Sequence, residues 1–289
     1  MQHIGVHNKF LSHAKINLGL RVLGKRSDGY HDIETFFQQI DLHDILEIEP
    51  TTDGHILIAA TDPHCPLDER NLAYRAADLL RKNIGDAALG CRIHIQKRIP
   101  MGAGLGGGSS NAATTLVALN ELWMSFYNQD DLLDYSSALG ADVPFFIRGG
   151  LALGEKKGEI LTPMPLHLAY NGVLIYPNLS ISTAWVYNNL NLNLTKNKKF
   201  AKFGSFRPKF DQTALWKTEL ENDLTSVVLA KYPELSRILE KCYECGAFYA
   251  QMSGSGSTFF GLFEHREAAL HVARFFRSYY RTAMFKPIY

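Results

Sequence analysis

The chain carries only four cysteines and three tryptophans in 289 residues. Cys242 and Cys245 form its one C-x-x-C pair. A single pair that closes a helical stretch, with no helix N-terminus to stabilise a thiolate, reads as packing and not as zinc or redox chemistry. Long hydrophobic runs are missing too, since nothing approaches the roughly 20 apolar residues of a membrane span. The opening, MQHIGVHNKFLSH, lacks the apolar core of a secretion signal, so a cytoplasmic location is the expectation. His3, His7 and His13 stand there without other ligand types and read as a solvated extension.

A surplus of charge is also absent. The 30 basic and 29 acidic side chains leave a formal net charge of +1, so no global field gathers nucleic acid or an anionic membrane, and an anion must be held locally. With 46% hydrophobic residues the chain has ample material for a buried core.

What the chain does have is glycine, concentrated in PMGAGLGGGSSNAA at residues 100–113. Pro100, Met101, Gly102, Ala103, Gly104, Leu105, Gly106, Gly107, Gly108, Ser109 and Ser110 read as a phosphate cradle. Glycines let successive N–H groups turn towards an anion, and the helix expected over residues 110–123 adds unpaired amides and a partial positive charge at its first turn. A Walker A loop is excluded because Gly108 stands where its lysine belongs. Gly102, Gly104 and Gly107 satisfy G-x-G-x-x-G behind a strand over residues 91–96, but Glu121, the acid at the right distance, falls inside a helical run. A nicotinamide-dependent oxidoreductase therefore stays as the weaker alternative, as does a noncatalytic nucleotide-binding module.

The patterning places strands at residues 14–23, 33–40, 45–49, 55–60 and 91–96, with helices at 71–82, 110–123 and 130–139. Residues 14–23 alternate cleanly, with Ala14, Ile16, Leu18, Leu20 and Val22 on one face and Lys15, Asn17, Gly19 and Arg21 on the other, which predicts a strand with one buried side. Short strands follow at 151–154 and 172–176, with a helix at 182–189. Residues 190–210 hold Lys196, Lys198, Lys199, Lys202, Arg207 and Lys209 with no acid until Asp211, an exposed loop or a flap over an anionic ligand. The remainder reads ααββαβ (helices 221–230, 234–242 and 266–279; strands 247–252, 258–263 and 282–286), the order of a ferredoxin-like sandwich. The expected class is α+β, with an N-terminal domain over residues 1–160 and a C-terminal domain over 161–289.

Two further positions carry chemistry. MSGSGSTFFG at residues 252–261 sets Gly254, Ser255 and Gly256 between apolar strands, as a plain hairpin or as a second anion-receiving turn. Asp142 lies in LGADVPFF, where it caps a helix or acts as a carboxylate in the reaction. Lys15 faces the polar side of its strand, as a wet-side lysine or as a catalytic cation. A lysine and an aspartate beside a phosphate cradle are what an alcohol needs to attack ATP.

AKINLGLRVLGKRSDGYHDIET at residues 14–35, the glycine loop, GADVPFF at 140–146 and MSGSGS at 252–257 together resemble the GHMP kinase superfamily. The resemblance runs from Ala14 to Lys286. It implies a ribosomal-protein-S5-like N-terminal domain, a ferredoxin-like C-terminal domain, and ATP as phosphoryl donor with Mg2+ held by the phosphates and Ser109 or Ser110. It implies Lys15 and Asp142 as the catalytic pair, and Asn71 and Lys97 beside the adenine. It also implies a cytidine-diphosphate methylerythritol as substrate, phosphorylated on its 2-hydroxyl in the non-mevalonate isoprenoid route. That substrate would be held by Asn17, Tyr30, His31, Thr183, Tyr187, Gly254, Ser255 and Gly256. Mevalonate, homoserine and galactose kinases are the alternatives within the superfamily, and they lack the KRSDGYH turn. Neither nucleic acid nor membrane is expected as a partner, and the chain is expected as a monomer or weak homodimer.

Overall fold

The computed structural model describes residues 8–191 and 203–289. His3, His7, Lys196, Lys198, Lys199 and Lys202 lie outside the described residues. The chain divides into two compact units, each discontinuous in sequence. One takes Met1–Ala14, Leu42–Met101 and Gly106–Gly149, and the other takes Lys15–Asp41, Gly102–Leu105 and Gly150–Tyr289. Strands β1 (Lys9–Lys25) and β2 (His31–Thr51) contribute to both.

In the first unit, the end of β2 pairs antiparallel with β4 (Gly90–Gln96), and β4 pairs in parallel with β3 (Ile56–Ala60). Parallel neighbours need a crossover, supplied by α1 (Leu72–Ile84). Asn71 caps this helix by accepting from Ala73 N, and Gly85 closes it at φ +81. Ala73, Ala76, Ala77 and Leu80 of α1 share a core with Ile48, Ile58, Ile93 and Ile95 and with Ala112, Ala113, Leu116 and Leu119 of α2 (Gly107–Leu122). Alanine on both helices allows their close approach. The capping box of Asn128 and Asp131 starts α3 (Gln129–Ser137), and α4 (Val143–Arg148) follows Asp142.

In the second unit, the start of β2 pairs with β5 (Leu151–Lys156), which pairs with β6 (Ile160–Pro163), all antiparallel. A second sheet has the order β10-β7-β9-β8, from β7 (Asn171–Tyr176), β8 (Tyr249–Met252), β9 (Phe259–Phe263) and β10 (Arg281–Phe285). Every pairing in it is antiparallel. After α5 (Thr183–Asn188) come α6 (Asp223–Lys231), α7 (Ser236–Glu244) and α8 (Arg266–Phe276). They bury Leu224, Val228, Ile238, Cys242, Ala269 and Val272 with Val173, Ile175, Phe259 and Phe263 of the sheet. The ferredoxin-like order expected from the sequence gains its missing first strand here: β7, from far upstream, inserts between β10 and β9.

Two expectations change. The polar side of β1 is not wet. Lys15, Asn17 and Arg21 are at most 9% exposed, because within their unit Lys15 lies over the Phe37 ring, Asn17 bonds Thr35 and Arg21 lies 4.5 Å from the Phe203 ring centroid. The two β runs at 33–40 and 45–49 are one continuous strand. Cys242 and Cys245 are free thiols, and burial pushes Cys242 up to about 12, the chemistry of a packing residue.

Candidate active site

The glycine loop is shaped by its backbone. Gly102, Gly104 and Gly106 all take left-handed φ values of +63, +78 and +70, and Ala103 and Leu105 between them do not. Alternation of this kind turns successive amides to one side, forming an anion nest. The carbonyls are held elsewhere. Ala103 O accepts from Thr258 N at 3.3 Å and Leu105 O from Lys15 N at 3.0 Å. Gly104 O accepts from Lys15 Nζ at 3.1 Å and Ser253 Oγ at 2.9 Å. Among the described residues, no backbone amide from Gly104 to Ser109 donates a hydrogen bond to protein. The last three belong to the open N-terminus of α2, whose ladder begins with Ser110 N to Gly106 O. This helix starts three residues earlier than expected, so Gly107, Gly108 and Ser109 offer helical amides and not loop amides.

Lys15 is 4% exposed, and its ammonium also donates to Asn17 Oδ1 at 2.6 Å. Asn17 in turn donates from Nδ2 to Thr35 Oγ1 at 2.8 Å, and the Thr35 hydroxyl donates to Gly19 O at 2.6 Å. Asn17 N donates to Ser253 Oγ at 3.1 Å. Lys15, Asn17, Gly104 and Ser253 thus form one network within the second unit. Sequence reasoning singled out neither Thr35 nor Ser253 by itself, although Ser253 lies within the second glycine turn, MSGSGS at residues 252–257.

The second glycine turn connects β8 to β9 and is more than a hairpin. Asn222, 4% exposed, caps α6 and donates from Nδ2 to Met252 O at 2.8 Å and Gly254 O at 2.7 Å. Ser255 Oγ lies 2.8 Å from Thr183 Oγ1 at the start of α5. The same unit stacks His31 on Tyr187, with ring centroids 4.9 Å apart and planes at 27°. Burial first, and then the charge of Lys25, lowers the His31 pKa below its ordinary value. Tyr30 is 60% exposed and sits 5.0 Å below the Lys157 ammonium. His31, Tyr187, Thr183, Ser255, Gly254 and Gly256 therefore belong to one unit, with His31 and not Tyr30 against Tyr187. Asn222 was not singled out in the sequence, where the helix was expected to begin at residue 221, one position before it.

The first unit holds the remaining candidates. Lys97 is buried in an ion pair with Asp44 and donates to Asn111 Oδ1 at 3.2 Å. Asp44, fully buried, also accepts from Arg98 N at 2.7 Å, Ile99 N at 2.9 Å and Asn111 Nδ2 at 3.0 Å. Asn111 reaches Ser12 at 2.8 Å, and Ser12 Oγ lies 2.8 Å from Ser110 Oγ. Asp44 thereby ties the segment before the glycine loop to the first turns of α2; no sequence signal joins positions so far apart. Asn71 spends its amide on its capping bond and on Pro66 O at 2.7 Å. Asp142 is half-buried at the N-cap position of α4 but makes no side-chain capping bond. The bland explanation of this carboxylate, a helix cap, is therefore not realised.

A glycine nest opening a helix, a lysine bonded to the nest carbonyl and a ferredoxin-like second sheet are features of small-molecule kinases. The sequence pattern of the GHMP kinases N terminal domain matches residues 71–150, and that of the GHMP kinases C terminal matches residues 211–282. A 4-diphosphocytidyl-2-C-methyl-D-erythritol kinase of Chlorobium phaeobacteroides is 41% identical, covering 100% of this chain and 99% of its own length. A solved 4-(cytidine 5'-diphospho)-2C-methyl-D-erythritol kinase superposes with a TM-score of 0.81 at 34% identity, covering 96% of this chain and 98% of the other. Mevalonate kinase of Methanococcus jannaschii shares the fold, with a TM-score of 0.71 at 15% identity over 99% of each chain. The chain belongs to the GHMP kinase family and, within it, to the 4-diphosphocytidyl-2-C-methyl-D-erythritol kinases. It is an ATP-dependent small-molecule kinase of α+β fold.

Proposed function

We propose that the chain phosphorylates the 2-hydroxyl of 4-diphosphocytidyl-2-C-methyl-D-erythritol with ATP, giving the 2-phosphate and ADP for isoprenoid precursor synthesis in the cytoplasm. The observation that carries this reading is the Lys15 ammonium bonded to the carbonyl of Gly104, inside a loop whose following amides donate to no protein group. The cation is tied to the loop that would hold the triphosphate.

The amides from Gly104 to Ser109 bind the phosphate oxygens, and the α2 N-terminus favours their charge. The substrate hydroxyl attacks the terminal phosphorus, its proton passes to the Asp142 carboxylate, and the bond to the bridging oxygen breaks as ADP leaves. Lys15 offsets the charge that gathers on the transferred group. Magnesium accompanies ATP. Ser110 is buried with its hydroxyl on Ser12, which makes the half-buried Ser109 the better protein ligand of the two. Asn71 and Lys97 flank the adenine through the surfaces left by their internal bonds. The cytosine is received beside Tyr30, His31 and Tyr187, and the alcohol by Asn17, Thr183 and the turn from Gly254 to Gly256.

The test is ADP release in a coupled assay. Release is expected with ATP plus the cytidine-diphosphate alcohol, and not with mevalonate, homoserine or galactose. Turnover of one of those three in place of the cytidine substrate would overturn the substrate assignment. ATP binding without ADP release would reduce the chain to a nucleotide-binding module.

A further inference from the structure

Asn222 uses every polar atom of its side chain. Its Oδ1 accepts from Leu224 N at 3.0 Å and caps α6, while its two amide hydrogens go to Met252 O at 2.8 Å and Gly254 O at 2.7 Å. Only one orientation of the amide satisfies a backbone donor on one side and two carbonyls on the other. The residue is 4% exposed, a buried setting in which a lost partner is costly. Capping alone needs only the oxygen, and serine or aspartate would supply one as well. The two donated hydrogens are what asparagine adds.

The carbonyls that Asn222 holds flank Ser253. Ser253 is fully buried, and its hydroxyl joins the glycine nest to the lysine strand: it donates to Gly104 O at 2.9 Å and accepts from Asn17 N at 3.1 Å. Gly254, at φ +57, approaches the same pair. A Cβ built there would stand 3.1 Å from Asn17 Oδ1, the atom that accepts from Lys15 Nζ, and 3.6 Å from Gly104 O. The clamp is itself anchored on β1. Leu20 N donates to Glu221 O at 2.9 Å, Val22 N donates to Asp223 Oδ2 at 2.8 Å, and the buried Tyr249 hydroxyl meets the carbonyls of Leu18 and Leu220. Asn222 thus reaches from a segment fastened along the strand of Lys15 to the turn that faces Lys15.

We propose, on the reading that Lys15 and the second glycine turn serve phosphoryl transfer, that Asn222 is a positioning residue of the reaction. It acts through Ser253 and Gly254, setting the turn against Asn17 and Gly104 and so fixing where the Lys15 ammonium stands.

Two substitutions separate the cap from the clamp. Asn222→Ser keeps a capping oxygen and leaves the two carbonyls unheld. Asn222→Asp also keeps the cap, with a charge that suits a helix N-terminus, but it sets a carboxylate oxygen against the two carbonyls and drives the turn away. A capping role ranks aspartate level with the wild type; positioning ranks it last. In the coupled ADP-release assay kcat should fall about 10-fold in Asn222→Ser and on the order of 100-fold in Asn222→Asp, the loss that an ångström-scale misplacement brings. The dissociation constant of a non-hydrolysable ATP analogue should stay within about threefold, because Asn222 touches none of the amides from Gly104 to Ser109. Val228→Ala, a fully buried truncation on the same helix, is the stability control. It should lower the urea midpoint as Asn222→Ser does, while turnover stays within about threefold. Lys15→Met tests the underlying reading. Lost turnover in Lys15→Met beside wild-type kcat in Asn222→Asp would overturn the proposal and leave the site standing, whereas full turnover in Lys15→Met would overturn both. A loss in Val228→Ala equal to that in Asn222→Asp would also overturn the proposal, since a loosened fold would then account for it.

Discussion

Gly104→Ala is the substitution that most directly probes the nest. A Cβ at this position would sit 2.2 Å from Ser253 O and 3.1 Å from Gly256 O. Both are backbone atoms that cannot rotate aside. The left-handed φ of +78 adds about 1–2 kcal/mol for any residue with a Cβ, and forced overpacking adds about 1–3 kcal/mol. Some 2–5 kcal/mol of strain would therefore fall on the segment whose carbonyl holds Lys15. Relieving it means moving Gly104 away from Ser253, which breaks the bonds to Ser253 Oγ and Lys15 Nζ together. If that strain appears in phosphate binding, kcat/KM for ATP falls from about 30-fold to several thousand-fold at ~1.4 kcal/mol per tenfold. Gly102→Ala is the internal control. Its φ is +63, but a Cβ would meet nothing within 4 Å, so only the backbone cost of about 1–2 kcal/mol applies, at most about 30-fold. Coupled ADP-release kinetics on both variants decide the matter. Equal losses at the two positions, or wild-type kinetics in Gly104→Ala, would show that the contact with the second glycine turn does not position the nest.

Asp142→Asn should lower kcat by roughly 10²- to 10⁴-fold while ATP affinity is retained; normal turnover would remove Asp142 from the chemistry. Asp44→Ala strands the buried Lys97 ammonium and should cost about 3–5 kcal/mol in urea unfolding, so an unchanged midpoint would refute the pairing. His31 has a lowered pKa in the folded chain, so the unfolded chain takes up its proton first. Its contribution to stability is whole above the ordinary imidazole value of 6.5 and is lost as pH falls through the lower folded value. The melting temperature of the wild type should accordingly drop more steeply than that of His31→Gln over that window, and parallel slopes would count against the half-buried stack.

Most elements were legible along the chain. The period of two in β1 and the helical patterning of α1 and α3 are local signals, set by side-chain spacing along the chain, and the structure adds the caps Asn71 and Asn128 at the helix starts. The start of α2 was misjudged because Gly107, Gly108 and Ser109 are poor helix formers whose helical state depends on the packing of the alanine-rich turns C-terminal to them. The polar face of β1 was misjudged for a related reason: alternation distinguishes two faces of a strand but not whether other residues cover the second one.

For the site, the sequence by itself determined the chemical vocabulary: a glycine-rich bend, a lysine, an aspartate before a short helix, and a second glycine turn. Only the tertiary structure decided the pairings. It joined Lys15 to Gly104 across 89 positions, Ser253 to Gly104 across 149 and Lys97 to Asp44 across 53. It also set His31, and not Tyr30, against Tyr187. Local sequence encodes backbone preference and side-chain type. Which buried donor meets which acceptor is settled by the folded core, where an unmet polar group is costly enough to select one arrangement.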